Sequence, residues 1–183
     1  MPPPLTIVRT SQDTDRSTAD TIQLMHACIA EAYQRPEVIE ATRKALSRCG
    51  IFDPAWRKAE DIWQWVHSHI EFMPDEQILQ RYFGFSPERA VQTELLQRPE
   101  LLLATRRGDC DCFTMLTCAM LACAGVGYAI STVAADSDNP HRWSHVYAIA
   151  LSEDRREIPM DTSHGRWFGW EAPHWYRRKE WFA

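Results

Sequence analysis

Arg107-Gly-Asp-Cys-Asp-Cys-Phe-Thr114 opens a run that stays apolar from Cys112 to Ala124 and stops at Gly125. Gly108 breaks the chain ahead of it. Gly125 stands where a helix commonly ends on a left-handed residue, so the run reads as a helix of about 15 residues. After Gly125 the pattern changes. Tyr128-Ala-Ile-Ser-Thr-Val-Ala134 reads as a strand, Asp136-Ser-Asp-Asn-Pro140 as a turn, and Trp143-Ser-His-Val-Tyr-Ala-Ile-Ala-Leu151 as a second strand rich in β-formers. Glu153-Asp-Arg-Arg156 suits a hairpin turn and Glu157-Ile-Pro-Met160 a short third strand.

Upstream the period is helical. Ile22, Met25, Ile29 and Tyr33 recur at steps of three and four until Pro36. Val38, Ile39, Thr42, Ala45 and Leu46 mark a second helix that closes towards Gly50. Trp56, Ala59, Trp63, Val66 and Ile70 stripe a third, opened by Asp53-Pro54 in the order of an N-cap and a first helical proline. Gln77–Phe83 suits another short helix, and Pro87 and Pro99 punctuate the stretch between it and Gly108. Helices first and strands later give the class α+β, with the helix that carries Cys110 packed on an antiparallel sheet.

The chain has 183 residues, enough for one domain. With 45% apolar and 25% charged residues, neither a disordered nor a collagen-like chain fits. A net charge of −5 gives no electrostatic reason to expect nucleic acid or an acidic membrane as partner. No apolar run approaches the roughly 20 residues of a membrane helix. The N-terminus shows neither a basic leader nor a long apolar core, so we expect a cytoplasmic protein whose six cysteines are mainly thiols. The expected organisation is a flexible arm over 1–16 and one domain over 17–183. That domain divides into a helical part (17–107), a chemical core (108–163) and an aromatic C-terminal tail (164–183).

Three segments carry chemistry: Arg107-Gly-Asp-Cys-Asp-Cys, Trp143-Ser-His-Val-Tyr and Ile158-Pro-Met-Asp-Thr-Ser. They place Cys110 at a helix N-terminus, His145 in a strand 35 residues on, and Asp161 at the end of the next strand, 16 further. A free thiol is mostly protonated at neutral pH, and unsatisfied amides at a helix start, or a nearby imidazolium, favour its thiolate. The same amides can receive an oxyanion, and an acid behind the histidine fixes its tautomer. Asp109 and Asp111 work against this by raising the thiol pKa. Gly108 is expected to let the backbone turn sharply and a substrate approach closely.

The order and context of these segments resemble the transglutaminase-like superfamily of papain-like cysteine enzymes, in its small bacterial and phage form. Gly108-Asp-Cys110 matches the glycine-x-cysteine that opens the active-site helix. His145-Val-Tyr matches the strand histidine, and Met160-Asp161-Thr the acid closing the next strand. Ile62-Trp-Gln-Trp-Val-His-Ser-His-Ile-Glu-Phe72 is similar to the preceding helix of such members. The resemblance spans about Asp53 to Ser163, departing where Cys112 replaces a common acid and Thr114 a common alanine. It implies a papain-like core with Cys110 as nucleophile, His145 as base and Asp161 as orienting acid. It also implies a hydrolase or acyltransferase acting on an amide or related acyl bond of a peptide or protein, with protease or amidase favoured over cross-linker. No metal or organic cofactor is required. The alternative is a non-catalytic structural or assembly protein on the same fold, virion-associated if phage-encoded.

Other readings stay open. Cys112 reads as a core thiol, and Cys118 and Cys123 as core packing; a metal site of Cys110, Cys112 and His145 is a weaker alternative, since Cys-x-Cys is a poor zinc spacing. His67 and His69 read as helix-end residues, and His164 as a loop histidine, with a place at the site mouth, three residues after Asp161, as the lesser alternative. In the last 18 residues Trp167, Phe168, Trp170, Trp175, Tyr176, Trp181 and Phe182 alternate with Arg166, Arg177, Arg178 and Lys179. They form either a tail wrapped over the domain, or a docking surface for a protein partner or a wall of the substrate cleft.

Overall fold

The segment Cys110–Cys123 is helical, and every residue from Asp111 to Leu121 is buried. A helix hydrophobic on all sides must be covered on all sides, and the rest of the chain does this. The computed structural model describes residues 5–9, 14–91 and 93–182. In chain order the elements are β1 (Leu5–Arg9), α1 (Thr14–Ala32), α2 (Pro36–Ala45), α3 (Ala55–His69), β2 (Glu71–Phe72), α4 (Asp75–Phe83), α5 (Pro87–Ala90), β3 (Thr93–Gln97), α6 (Pro99–Thr105), β4 (Arg107–Gly108), α7 (Cys110–Cys123), β5 (Gly127–Ala134), β6 (His145–Leu151), β7 (Glu157–Met160) and β8 (Arg177–Phe182). α1, α2, α3 and α6 pack on one side of α7, and β5 and β6 on the other.

The class is α+β, with N-terminal helices and the Cys-bearing helix on a small antiparallel sheet. That sheet runs β7-β6-β5-β8. β5 and β6 form a hairpin with Val133 opposite His145, and β6 pairs with β7 with Ala148 opposite Met160. Val146, Ala148 and Ala150 turn towards α7 and join the main core. Tyr147 and Ile149 turn the other way and pack with Ala129 and Val133. The period of two thus gives β6 two buried faces, and Tyr147 closes the second by donating its hydroxyl to Glu171 Oε2 at 2.8 Å.

Several elements differ from the sequence expectation. The arm expected over 1–16 lies partly outside the described residues (1–4 and 10–13), but Leu5–Arg9 within it pair antiparallel with β3, and α1 starts by Thr14. Pro87 and Pro99, read as punctuation, are the first residues of α5 and α6, where a missing N–H costs nothing. Asp53 does not cap α3: its carboxylate accepts the Gly50 N–H, and the Ala55 N–H donates to Glu153 instead. The tail carries an edge strand, since β8 pairs along β5 and Trp181 donates its Nε1–H to Thr132 Oγ1 at 3.0 Å. Trp167, Trp175, Tyr176 and Phe182 stay exposed. Among the described residues, no helix is long and apolar enough to cross a membrane.

Because α7 carries the core, truncation inside it should be costly. Leu116→Ala, at a fully buried site, is expected to lower the unfolding free energy by about 2–5 kcal/mol. Ile51→Ala, at a site 86% exposed, should change it by less than about 0.5 kcal/mol. Urea unfolding of both variants checks the contrast.

Candidate functional site

α7 begins at the floor of a cleft of about 710 Å³, and Cys110, Asp111, His145, Val146 and Phe72 are among its walls. The local chain dictates that placement. β2 and β4 pair in parallel through Glu71 N–H to Arg106 O (2.8 Å) and Met73 N–H to Gly108 O (2.9 Å), which ties the α7 N-terminus beside Phe72. Gly108 is required here by packing rather than by an unusual turn. A Cβ on it would lie 2.8 Å from both Leu102 Cδ1 and Cys112 Cβ. Asp109 is the N-cap, accepting the Cys112 N–H at 3.4 Å. With the Cys112 N–H spent on Asp109 and the Phe113 N–H on Asp109 O, the Cys110 and Asp111 amides at the helix start are the ones that can receive a negative oxygen at the cleft.

His145 and Asp161 meet across the β6–β7 pair. His145 Nε2 lies 2.8 Å from Asp161 Oδ2, which leaves Nδ1 as the ring nitrogen for other work. The fully buried Asp161 is held from every direction. Its Oδ1 accepts the Ser163 N–H (3.1 Å), the Ser163 hydroxyl (3.0 Å) and the His164 N–H (2.9 Å). Burial works to raise this carboxyl, but the hydrogen bond and charge of His145 and the donors of His164 and Ser163 outweigh it. The net position is below the ordinary carboxylate range.

Two residues that the sequence reading did not connect with the site hold the Asp161 backbone. Trp63 donates its Nε1–H to Asp161 O at 2.9 Å, and the Gly165 N–H to the same oxygen at 3.1 Å. A Cβ on Gly165 would fall 2.1 Å from that oxygen, so only glycine fits. His164, read as a loop histidine, presents its ring edge-on to His145 (centroids 5.0 Å) and to Phe72 (4.4 Å). Burial and the neighbouring His145 lower its pKa. His67 stacks on Trp63 at 4.7 Å, its Nδ1 lying 3.2 Å from Thr162 O, so this helix-end histidine also braces the Asp161 loop.

Around Cys110 the field is acidic. Its Sγ lies 3.8 Å from Asp111 Oδ1. Burial, then the charges of Asp111, Asp109 and Glu94, push the thiol well up, and the Val146 backbone opposes them in part. The acids perturb one another too. Asp75, nine-tenths buried, accepts the Leu95 N–H on Oδ2, while its Oδ1 has no partner. Burial and the Asp109 charge push Asp75 up to about 9, and burial with Glu94 pushes Asp109 up to about 7. Burial and its acidic neighbours thus favour the protonated form of Asp75, so the cluster presents less charge than four carboxylates. One carboxylate oxygen from each of Asp75, Glu94 and Asp109 falls within 4.8 Å of the others, a set that can share protons or hold a hard cation. The sequence gives no sign of it, because α4 and β3 bring Asp75 and Glu94 to the site from distant segments.

Cys112 does not join Cys110. Its buried thiol faces Leu95 O (3.5 Å) and the Gln97 N–H (3.4 Å), so a Cys110–Cys112–His145 ligand set is not assembled. Cys118 is fully buried and Cys123 half-buried.

No protein-family model matches the chain, and no curated protein does. Among solved structures, a candidate protease of Parabacteroides distasonis ATCC 8503 superposes with a TM-score of 0.54 at 12% identity, over 78% of this chain and 26% of its own. A candidate cysteine protease of Cytophaga hutchinsonii gives a TM-score of 0.46 at 14% identity, over 87% of this chain and 49% of its own. This chain thus spans about a quarter of the first and half of the second. The likeness to the Parabacteroides protein is one of fold.

The acid cluster fixes a pH dependence. With Asp75 at about 9 in the folded protein against 3.8 ordinarily, the native state keeps a proton that the unfolded chain releases between those values. Unfolding then sheds protons, and this group's contribution to stability falls as pH rises through that window. Asp75→Asn keeps the acceptor for Leu95 and removes the titration. Thermal unfolding in the presence of a chelator should show its Tm advantage over wild type widening from pH 5 to pH 8. A constant or narrowing difference contradicts the assignment.

Proposed function

We propose that this protein is a cysteine hydrolase or acyltransferase of transglutaminase-like type, with Cys110 as nucleophile, His145 as general base and acid, and Asp161 as the residue that orients it. The observation that carries this reading is the His145–Asp161 hydrogen bond beside a cleft whose wall also holds Cys110 at a helix N-terminus. Asp161 takes the Nε2–H of His145, so the Nδ1 lone pair can accept the thiol proton. Cys110 Sγ then bonds the acyl carbon of an amide, and the carbonyl oxygen gains charge within reach of the first-turn amides of α7. Collapse expels the amine, which takes its proton from His145 Nδ1, and leaves a thioester. Water, activated by the same nitrogen, attacks that thioester, releases the acid and returns the proton to the sulfur. A lysine amine in place of water would give cross-linking.

The raised thiol of Cys110 selects one version of this chemistry. The resting nucleophile is the thiol, with proton transfer to His145 occurring as the substrate is attacked. Hydrolysis is favoured over cross-linking because the small relatives that the chain resembles lean that way. The reading as a scaffold rests on a different observation, the exposed Trp167, Trp175 and Tyr176 of the C-terminal segment, which suit a protein partner.

One assay separates the two. A denatured protein substrate such as casein is incubated with the full chain, with and without a fluorescent primary amine. New amino termini, released ammonia and incorporated amine are then read. The enzyme reading expects turnover that Cys110→Ala abolishes and that His145→Ala lowers on the order of 10²–10⁴-fold. The scaffold reading expects wild type and both variants to be equally inert.

A further inference from the structure

The catalytic reading uses His145 and Asp161 but has no task for the His164 side chain. His164 is the exposed member of a trio: one side-chain ligand atom from each of His145, Asp161 and His164 lies within 4.8 Å of the others. Its backbone N–H is spent on Asp161 and its Nδ1 lies 3.0 Å from Ser163 Oγ. Two imidazoles and one carboxylate are a borderline-soft donor set, suited to zinc rather than to calcium or magnesium. Zinc is also content with three protein ligands and a water.

We propose that His145, Asp161 and His164 form a zinc-binding site on the Asp161 side of the base, and that a Zn²⁺ ion taken up there replaces the His145–Asp161 hydrogen bond. Zinc sits about 2.0–2.1 Å from each imidazole nitrogen and about 2.0–2.2 Å from the carboxylate oxygen. The 2.8 Å His145–Asp161 pair must open slightly and the exposed His164 ring swing in. The rigid member need not move, since Asp161 keeps its three donors on Oδ1 and offers Oδ2 to the metal. The ion takes the His145 Nε2 lone pair. The ring proton that stood on Nε2 moves through solvent to Nδ1, with no net change in protons on a neutral imidazole. His145 then has no lone pair left for the Cys110 thiol. Zinc is thereby a reversible inhibitor, a consequence that rests on the catalytic reading; the site itself does not.

The test uses the full-length chain and zinc chloride, with magnesium chloride as control. Isothermal titration is run on wild type, on Cys110→Ala and on His164→Phe, which keeps an aromatic ring against Phe72 and His145. The expected result is a zinc site in wild type, retained in Cys110→Ala and weakened at least tenfold in His164→Phe, with any magnesium response the same in all three proteins. Equal binding by wild type and His164→Phe overturns the site. So does loss of binding in Cys110→Ala, which would put zinc on a thiol–imidazole pair. In a second arm, zinc should slow Cys110 modification by iodoacetamide in wild type, reversibly by chelator, and leave His164→Phe unaffected. Zinc bound as expected with no effect on that rate supports the site and counts against the catalytic reading alone.

Discussion

The burial of α7 on all sides is the constraint on which the rest of the structure depends. A helix with no solvent-facing stripe cannot sit at a surface. It requires the layer of α1, α2, α3 and α6 on one side and the sheet on the other, and both layers register on it. At its N-terminal end only Cys110 is partly exposed, and the helix start with its unsatisfied amides faces the cleft that Cys110 lines. The sheet strands that cover it carry His145 at the start of β6 and Asp161 just past the end of β7. The core and the site are therefore one piece of design: packing that fixes α7 against β6 also fixes the thiol relative to the imidazole.

The site combines a tightly held acid with a thiol in an opposing field. Asp161 is fixed through both carboxylate oxygens and through its backbone carbonyl, by donors from α3, β6 and its own loop. Cys110 stands beside Asp109 and Asp111, and burial with the charges of those two and of Glu94 favours thiol over thiolate. Both observations agree with a base that is oriented in advance and a nucleophile that loses its proton only during attack. The charge of the acid cluster opposes activation, and any proton or cation that it takes up relaxes that opposition by weakening the negative field at the sulfur.

What the sequence makes legible is what short segments determine. The helix from Cys110 shows in its apolar run and Gly125, and the β5–β6–β7 hairpins show in alternation and turn residues. The three chemical residues stand out because each sits at the end of one of those elements. Pairing across long separations leaves no such trace. Trp63 reaches Asp161 from 98 positions away, and nothing in the third helical stripe marks it as more than core. Gly165 is required by a close approach to a carbonyl rather than by a left-handed turn, so its neighbours in sequence give no hint. Arg177-Arg-Lys-Glu-Trp-Phe182 lacks a strand's alternation, and becomes β8 because β5 offers it an open edge; its charges suit a strand whose own outer edge is exposed. β1 and β3 likewise exist through each other.

The most direct test of the central claim, that His145 and Asp161 act on Cys110, is site-resolved alkylation by iodoacetamide at neutral pH, read by mass spectrometry in wild type, His145→Ala and Asp161→Asn. The account predicts that Cys110 reacts faster than Cys112, Cys118 and Cys123 in wild type, and that both substitutions slow Cys110 at least tenfold while leaving the other thiols unchanged. Equal Cys110 rates in the three proteins would show that the histidine and the acid do not serve the thiol, and would contradict the account.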